Sequence, residues 1–176
     1  AGTNLSKTGA SGDNTFIGYK SGFGSSNVYS NVAVGNYAMS ASVSGQSNVV
    51  IGYQAGDASV DVDKVVLVGQ GAGGNGVMTS DADGTVAIGY EAGKSITSGQ
   101  KNTIIGYEAG DSITDGDSST IVGYQAGTAI TAAGETGSTL IGKEAGKALT
   151  SGGYNTAVGR GALKTATTAA SCIAIG

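Results

Sequence analysis

The chain contains no histidine, no proline and no tryptophan, and one cysteine, in 176 residues. Without histidine there is no Ser-His-Asp triad, no Cys-His pair and no His-ligated zinc. One cysteine allows neither an internal disulfide framework nor a thiolate cluster for a metal, and it fits either redox compartment. Charged residues make up only 12%, too few for disorder driven by charge. The 33 glycines lack the three-residue period and the proline that collagen requires. Phenylalanine and methionine occur twice each, so a thick globular core would be hard to fill. No run of about 18 apolar residues exists to span a membrane. A net charge of −4 and a pI of about 4.6 argue against a nucleic-acid partner. The length suits one or two domains. The opening residues Ala1-Gly2-Thr3-Asn4 are neither an initiator methionine nor a signal peptide, and read as a processed product or a fragment.

What is present is repetition. An Ile or Val is followed by glycine at Gly18, Gly35, Gly52, Gly69, Gly89, Gly106, Gly123, Gly142, Gly159 and Gly176, with a spacing of 17 interrupted once by 20 and once by 19. Cutting four residues before each glycine gives units that start at 14, 31, 48, 65, 85, 102, 119, 138, 155 and 172. Nine are complete, and the last covers residues 172–176. Residues 1–13 lack the motif and read as a lead-in to a repeat domain over 14–176.

Each column of the unit has a physical reading. Column one is mostly Asn, with Ser and Thr as substitutes; it tolerates turn backbones and can stack into amide ladders. Columns two to four are β-branched or apolar and predict a short strand. Column five, always glycine, marks a corner with positive φ or a close approach by a neighbouring chain. Six further glycines (22, 56, 93, 110, 127 and 146) mark a second turn. Residues 94–97, 111–114 and 147–150 (KSIT, DSIT, KALT) predict a second, weaker strand. A helix would carry both glycine columns in its interior at roughly 1 kcal/mol each, and adjacent apolar residues do not fit its period. The predicted fold is therefore all-β: a parallel β-solenoid of about ten rungs, stacked about 4.8 Å apart into a rod of roughly 45 Å. Missing proline fits, because strands in such a stack donate their N–H groups to neighbours.

Columns three and four are both apolar, and neighbouring strand residues face opposite sides. One column can fill the coil; the other needs a cover. Column four (Ile17, Val34, Ile51, Val68, Ile88, Ile105, Val122, Ile141, Val158, Ile175) reads as an oligomer or core stripe, and whichever stripe stays outside is far larger than a monomer normally exposes, which predicts a homo-oligomer.

TVAIG (85–89), CIAIG (172–176) and NVAVG (31–35) resemble the heads of trimeric autotransporter adhesins. NTAVGRGAL (155–163), NTIIGYEAG (102–110) and NTFIGYKSG (14–22) resemble the NTAVGYxAL-type repeats of phage tail-fibre and related virion proteins. The resemblance covers residues 14–176. It implies a left-handed β-roll built as an intertwined or side-by-side homotrimer, on a virion or bacterial surface.

Few residues suggest chemistry. GYEAGKS (89–95) is one residue short of a phosphate loop and recurs as GYEAGDS (106–112); GQGAGG (69–74) lacks the strand–helix setting of a dinucleotide site. No cofactor is expected. Tyr90, Tyr107 and Tyr124 share column six in successive rungs and read either as a sugar-binding ladder or as a structural stack. Asp61, Asp63, Asp81 and Asp83 lie in adjacent rungs and read either as a Ca²⁺ site or as a solvated acidic edge; Asp115 and Asp117 form a weaker pair. The inserted segments 73–78 and 132–136 read as bulges, either a binding face or tolerated drift. Cys172 reads as a buried small thiol or an interchain bond, and Asn4-Leu5-Ser6 is a formal glycosylation sequon.

The function expected is structural and adhesive rather than enzymatic. The chain reads as a rigid segment of an extracellular fibre, such as a viral tail fibre, partnered with itself and with a cell-surface glycan or protein receptor. The alternatives are a bacterial trimeric adhesin head and, from another class, an ice-binding solenoid using the threonine column Thr15, Thr103, Thr120, Thr139 and Thr156.

Overall fold

The computed structural model describes residues 12–131 and 137–176. Among them are ten three-residue strands: β1 Thr15–Ile17, β2 Val32–Val34, β3 Val49–Ile51, β4 Val66–Val68, β5 Val86–Ile88, β6 Thr103–Ile105, β7 Thr120–Val122, β8 Thr139–Ile141, β9 Thr156–Val158 and β10 Ile173–Ile175. All are parallel and lie in one sheet in chain order. The chain is thus a β-solenoid of about nine turns with rungs about 17 residues apart, as the repeat predicts. Register is kept column for column, as in Thr15↔Val32 and Phe16↔Ala33. It survives both longer units, with Val66 opposite Val86 and Thr120 opposite Thr139. A one-residue slip would turn the buried column outward.

Column three fills the coil: Phe16, Ala33, Val50, Leu67, Ala87, Ile104, Ile121, Leu140 and Ala157 are buried. Columns two and four flank it and point outward. At the corner that follows, the column-five glycines have φ between 125 and 140. A Cβ on any of Gly18, Gly35, Gly52, Gly69, Gly89, Gly106, Gly123, Gly142 or Gly159 would run into the carbonyl oxygen of the glycine one rung on. Positive φ is found at each corner, and the close approach is made by the chain's own next rung rather than by a neighbouring chain.

The column-one side chains lie inside the coil rather than at a turn. Asn102 Nδ2 donates to Gly116 O at 2.6 Å, and its Oδ1 accepts from Ser119 N at 2.9 Å. Asn48 does the same with Val62 O at 2.6 Å and Val65 N at 3.0 Å. Each amide closes its own rung and ties it to the next. The left-handed turn residue is the one before it: Ser30, Ser47, Lys64, Lys101 and Ser118 have φ between 55 and 59.

The second strand expected at 94–97, 111–114 and 147–150 does not form. Ile96 N and Ile113 N donate back to Gly93 O and Gly110 O, both at 3.2 Å, so the backbone bends instead of extending. Rungs are still joined along this wall. Thr97 N donates to Thr114 O at 2.8 Å, and the Thr97 hydroxyl reaches the same oxygen at 3.0 Å.

In rungs 1 to 8 the wall supplies one large buried side chain each, from one of four columns, rung 4 using Met78 at column fourteen. Rungs 5 to 8 use column twelve: Ile96, Ile113, Ile130 and Leu149. Rungs 1 and 3 put Ser25 and Ser59 there and bury Val28 and Val62 at column fifteen. Rung 2 has Ser42 and Gly45 at those places and buries Met39 at column nine. Columns nine and twelve exclude each other, because a Cβ on Gly93 would sit 2.7 Å from Ile96 Cδ1 and one on Gly110 2.8 Å from Ile113 Cδ1. Met39→Gly alone should leave a void costing about 2–5 kcal/mol. Ser42→Ile alone should overpack by about 1–3 kcal/mol. The double variant copies rung 6 and removes a buried hydroxyl that has no partner among the described residues, so it is expected to recover most of both losses in urea unfolding. Simple additivity of the two penalties would refute the exclusion.

Candidate functional site

The strand alternation places columns two and four together on the outer face of the sheet. Ile17, Ile51 and Ile141 are 45%, 39% and 38% exposed, and Ile175 is 79% exposed. Val34, Val68, Ile88, Ile105, Val122 and Val158 are half-buried. Column two adds Val32, Val49, Val66 and Val86 in rungs 2 to 5 and Thr103, Thr120, Thr139 and Thr156 in rungs 6 to 9. The result is a continuous parallel-sheet face, apolar along its whole length, with hydroxyls over one half.

The next corner carries the tyrosine column. Tyr90 and Tyr107 stack with centroids 4.9 Å apart, Tyr107 and Tyr124 at 5.4 Å, each pair tilted by 13°. Lys143 Nζ lies 5.4 Å from the Tyr124 centroid. Rings stacked this way cover one another's faces, so no sugar ring can stack between them. Tyr107 and Tyr124 are still 45% exposed, at their ring edges.

Beside the stack, the polar side chains of columns seven and ten are joined along the rod. Lys94 meets Glu91 at 2.9 Å. Gln125 Nε2 donates to Glu108 Oε2 at 2.7 Å, and Lys147 Nζ donates to Gln125 Oε1 at 2.7 Å and to Glu144 at 3.1 Å. Lys164 reaches Glu144 at 2.7 Å. Hydrogen bonds from Lys164 and Lys147 hold the Glu144 carboxyl down from the ordinary 4.5 to about 2. A depressed carboxyl stabilises the fold above its unfolded value and loses that contribution as pH falls from 4.5 towards 2. Glu144→Gln is therefore expected to flatten the acid side of the melting-temperature profile in that window. An unchanged profile would show that the two lysines contribute nothing there. In the same row, burial pushes the Asp111 carboxyl above the usual carboxylate range.

The acidic turns do not form a cation site. Among the described residues, no group of three or more His, Cys, Asp or Glu side chains converges on one point. Asp63 accepts from Gln46 N at 2.8 Å and from Gln46 Nε2 at 3.0 Å, and Asp83 accepts from Asp63 N at 2.8 Å. Asp117 accepts from Gln100 N at 2.8 Å. These carboxylates cap amides of the rung before. Asp61 and Asp81 are exposed.

The first inserted segment is packed rather than bulged. Asn75 N and Gly76 N both donate to Lys94 O at 2.9 Å, and Met78 is buried. The remaining length forms a 3₁₀ turn, Ser80–Ala82. The second insertion, 132–136, the sequon and the lead-in up to residue 11 lie outside the described residues. Cys172 is half-buried rather than buried, its Sγ donating to Ala170 O at 3.4 Å. No helix among the described residues is long and apolar enough to cross a membrane.

Comparison with protein-family models, with curated proteins and with solved structures returns no match to this chain.

Proposed function

We propose that this chain is a rigid segment of an extracellular fibre, on the pattern of a viral tail fibre or related virion fibre, in which copies of the chain cover one another's sheet faces. The observation that supports it is the outer face itself. Ten rungs of outward Ile and Val exceed what a soluble monomer normally leaves to water. The resemblance of the repeat favours three copies, a surface location and a role in attachment to a cell-surface glycan or protein, with a bacterial adhesin head as the alternative carrier. The role is mechanical rather than catalytic: continuous ladder bonds and a closely packed aliphatic core make a stiff rod.

Ile105→Glu tests the reading. Ile105 points out of the coil, while Ile104 beside it fills the interior, so the single chain should still fold. A charge at the centre of the covered face should dissociate the assembly. Light scattering is expected to give a mass near three chains for the unaltered protein and one for the variant; a 16.9 kDa particle in both would end the proposal.

One observation favours a second reading. Thr103, Thr120, Thr139 and Thr156 face outward beside Ile105, Val122, Ile141 and Val158, because columns one and three point inward. A flat face of regularly spaced hydroxyls and methyls can order water against ice. Absence of thermal hysteresis would remove that reading.

A further inference from the structure

The corner of rungs 1 and 2 differs from the tyrosine stack of rungs 5 to 7. Lys20 is the only charged residue between positions 14 and 56. With no carboxylate on its own rung or the next, its Nζ lies 5.5 Å from the Tyr19 ring centroid and 5.3 Å from those of Phe23 and Tyr37. Tyr19 and Tyr37 meet edge to face, 5.6 Å apart at 80°. This crossed arrangement does not hide both ring faces as parallel stacking does. Tyr19 is 60% and Phe23 64% exposed. Asn36, exposed, follows Tyr19 in column six one rung on.

We infer that this cluster is a binding point for a carboxylated saccharide, such as a uronic or sialic acid unit. The C–H face of a pyranose suits an exposed aromatic ring. Lys20 supplies a charge-assisted partner for the carboxylate, and its contacts with the three rings hold the ammonium in place. The Asn36 amide offers hydrogen bonds to sugar hydroxyls. Rungs 1 and 2 carry no carboxylate that would compete for the Lys20 ammonium or repel an anionic glycan. The site lies off the sheet face, so it stands whether or not copies cover that face, and it gives the adhesive part of the proposal above a chemical partner.

The test titrates the protein by calorimetry and NMR with trigalacturonate and 3′-sialyllactose, using lactose as the neutral control. Lys20→Gln and Phe23→Ser are the informative variants, because Gln54 and Ser40 occupy the same columns in other rungs and the fold accepts them there. At least one acidic sugar is expected to bind, at least tenfold more tightly than lactose, with an affinity that falls as salt rises. Either substitution should weaken it about tenfold or more; Tyr107→Ala should not. Three results would overturn the inference: no binding of either acidic sugar at millimolar concentration, equal binding of lactose, or binding unchanged by Lys20→Gln. Light scattering on the same samples reports assembly separately. Variants that dissociate the assembly while leaving sugar affinity intact would assign the cluster to contacts between copies instead.

Discussion

Alanine at Gly106 is expected to cost about 3–5 kcal/mol and to strip hydrogen-exchange protection from β6 and β7. Two penalties fall on one methyl group. Gly106 has φ of 140, which side chains rarely adopt, and its Cβ would meet the Gly123 carbonyl oxygen. That oxygen belongs to a backbone fixed by further rungs, so neither side can yield. Gly71→Ala is the contrast. Gly71 has φ of 66, and its Cβ would meet only Glu91 Cγ, at 3.3 Å. A flexible side chain can move, and the left-handed conformation costs about 1–2 kcal/mol. Because each rung touches only its neighbours, the Gly106 damage should stay local. Equal losses at the two sites would show that conformation alone, and not the contact between rungs, makes column five glycine.

Asn102→Ala is expected to cost about 2–5 kcal/mol, because two buried backbone groups lose their partners at once and each is worth about 1–3 kcal/mol when left unpaired. Gly116 O loses its donor, and Ser119 N loses its acceptor. Serine stands naturally at this column in rungs 7 and 8, and Ser138 Oγ still accepts from Asn155 N at 3.2 Å. Asn102→Ser should therefore keep the link to the next rung, lose the clamp on its own, and recover roughly half of the alanine loss. Equilibrium urea unfolding of the two variants measures this. If serine and alanine cost the same, the link between rungs contributes nothing.

The repeat made the architecture legible. A glycine recurring every 17 residues after Ile or Val located all ten strands, their order and their register, because identical units stack in one way only. The two faces were legible only as a pair. Alternation showed that columns three and four point apart, but not that column three is the inner one. What failed was the wall after column nine. DSIT looks like a strand by composition, yet the left-handed Gly110 lets Ile113 N bond back within the turn, and local closure won over extension. The left-handed residues at column seven were also missed: Gln54, Glu91, Glu108, Gln125 and Glu144 have φ between 50 and 59. A signal existed, since Gly71 and Gly161 stand in that column, but long polar side chains masked it. The carboxylates at 61–63 and 81–83 were legible only as two alternatives, for another reason. Spacing in sequence shows acids close together and cannot show that a backbone amide has already claimed one of their oxygens.

The ladder bonds that join the rungs run along the rod, and that direction governs how it answers a pull on its ends. Tension loads these bonds one after another instead of sharing the load among them, so the rungs open singly, beginning where the stack is weakest. Each opened turn releases 17 residues of chain, roughly 55 Å of new length for about 5 Å of rod lost, while the turns beyond it keep their shape. A pull on the two ends is therefore expected to lengthen the chain in steps of about that size.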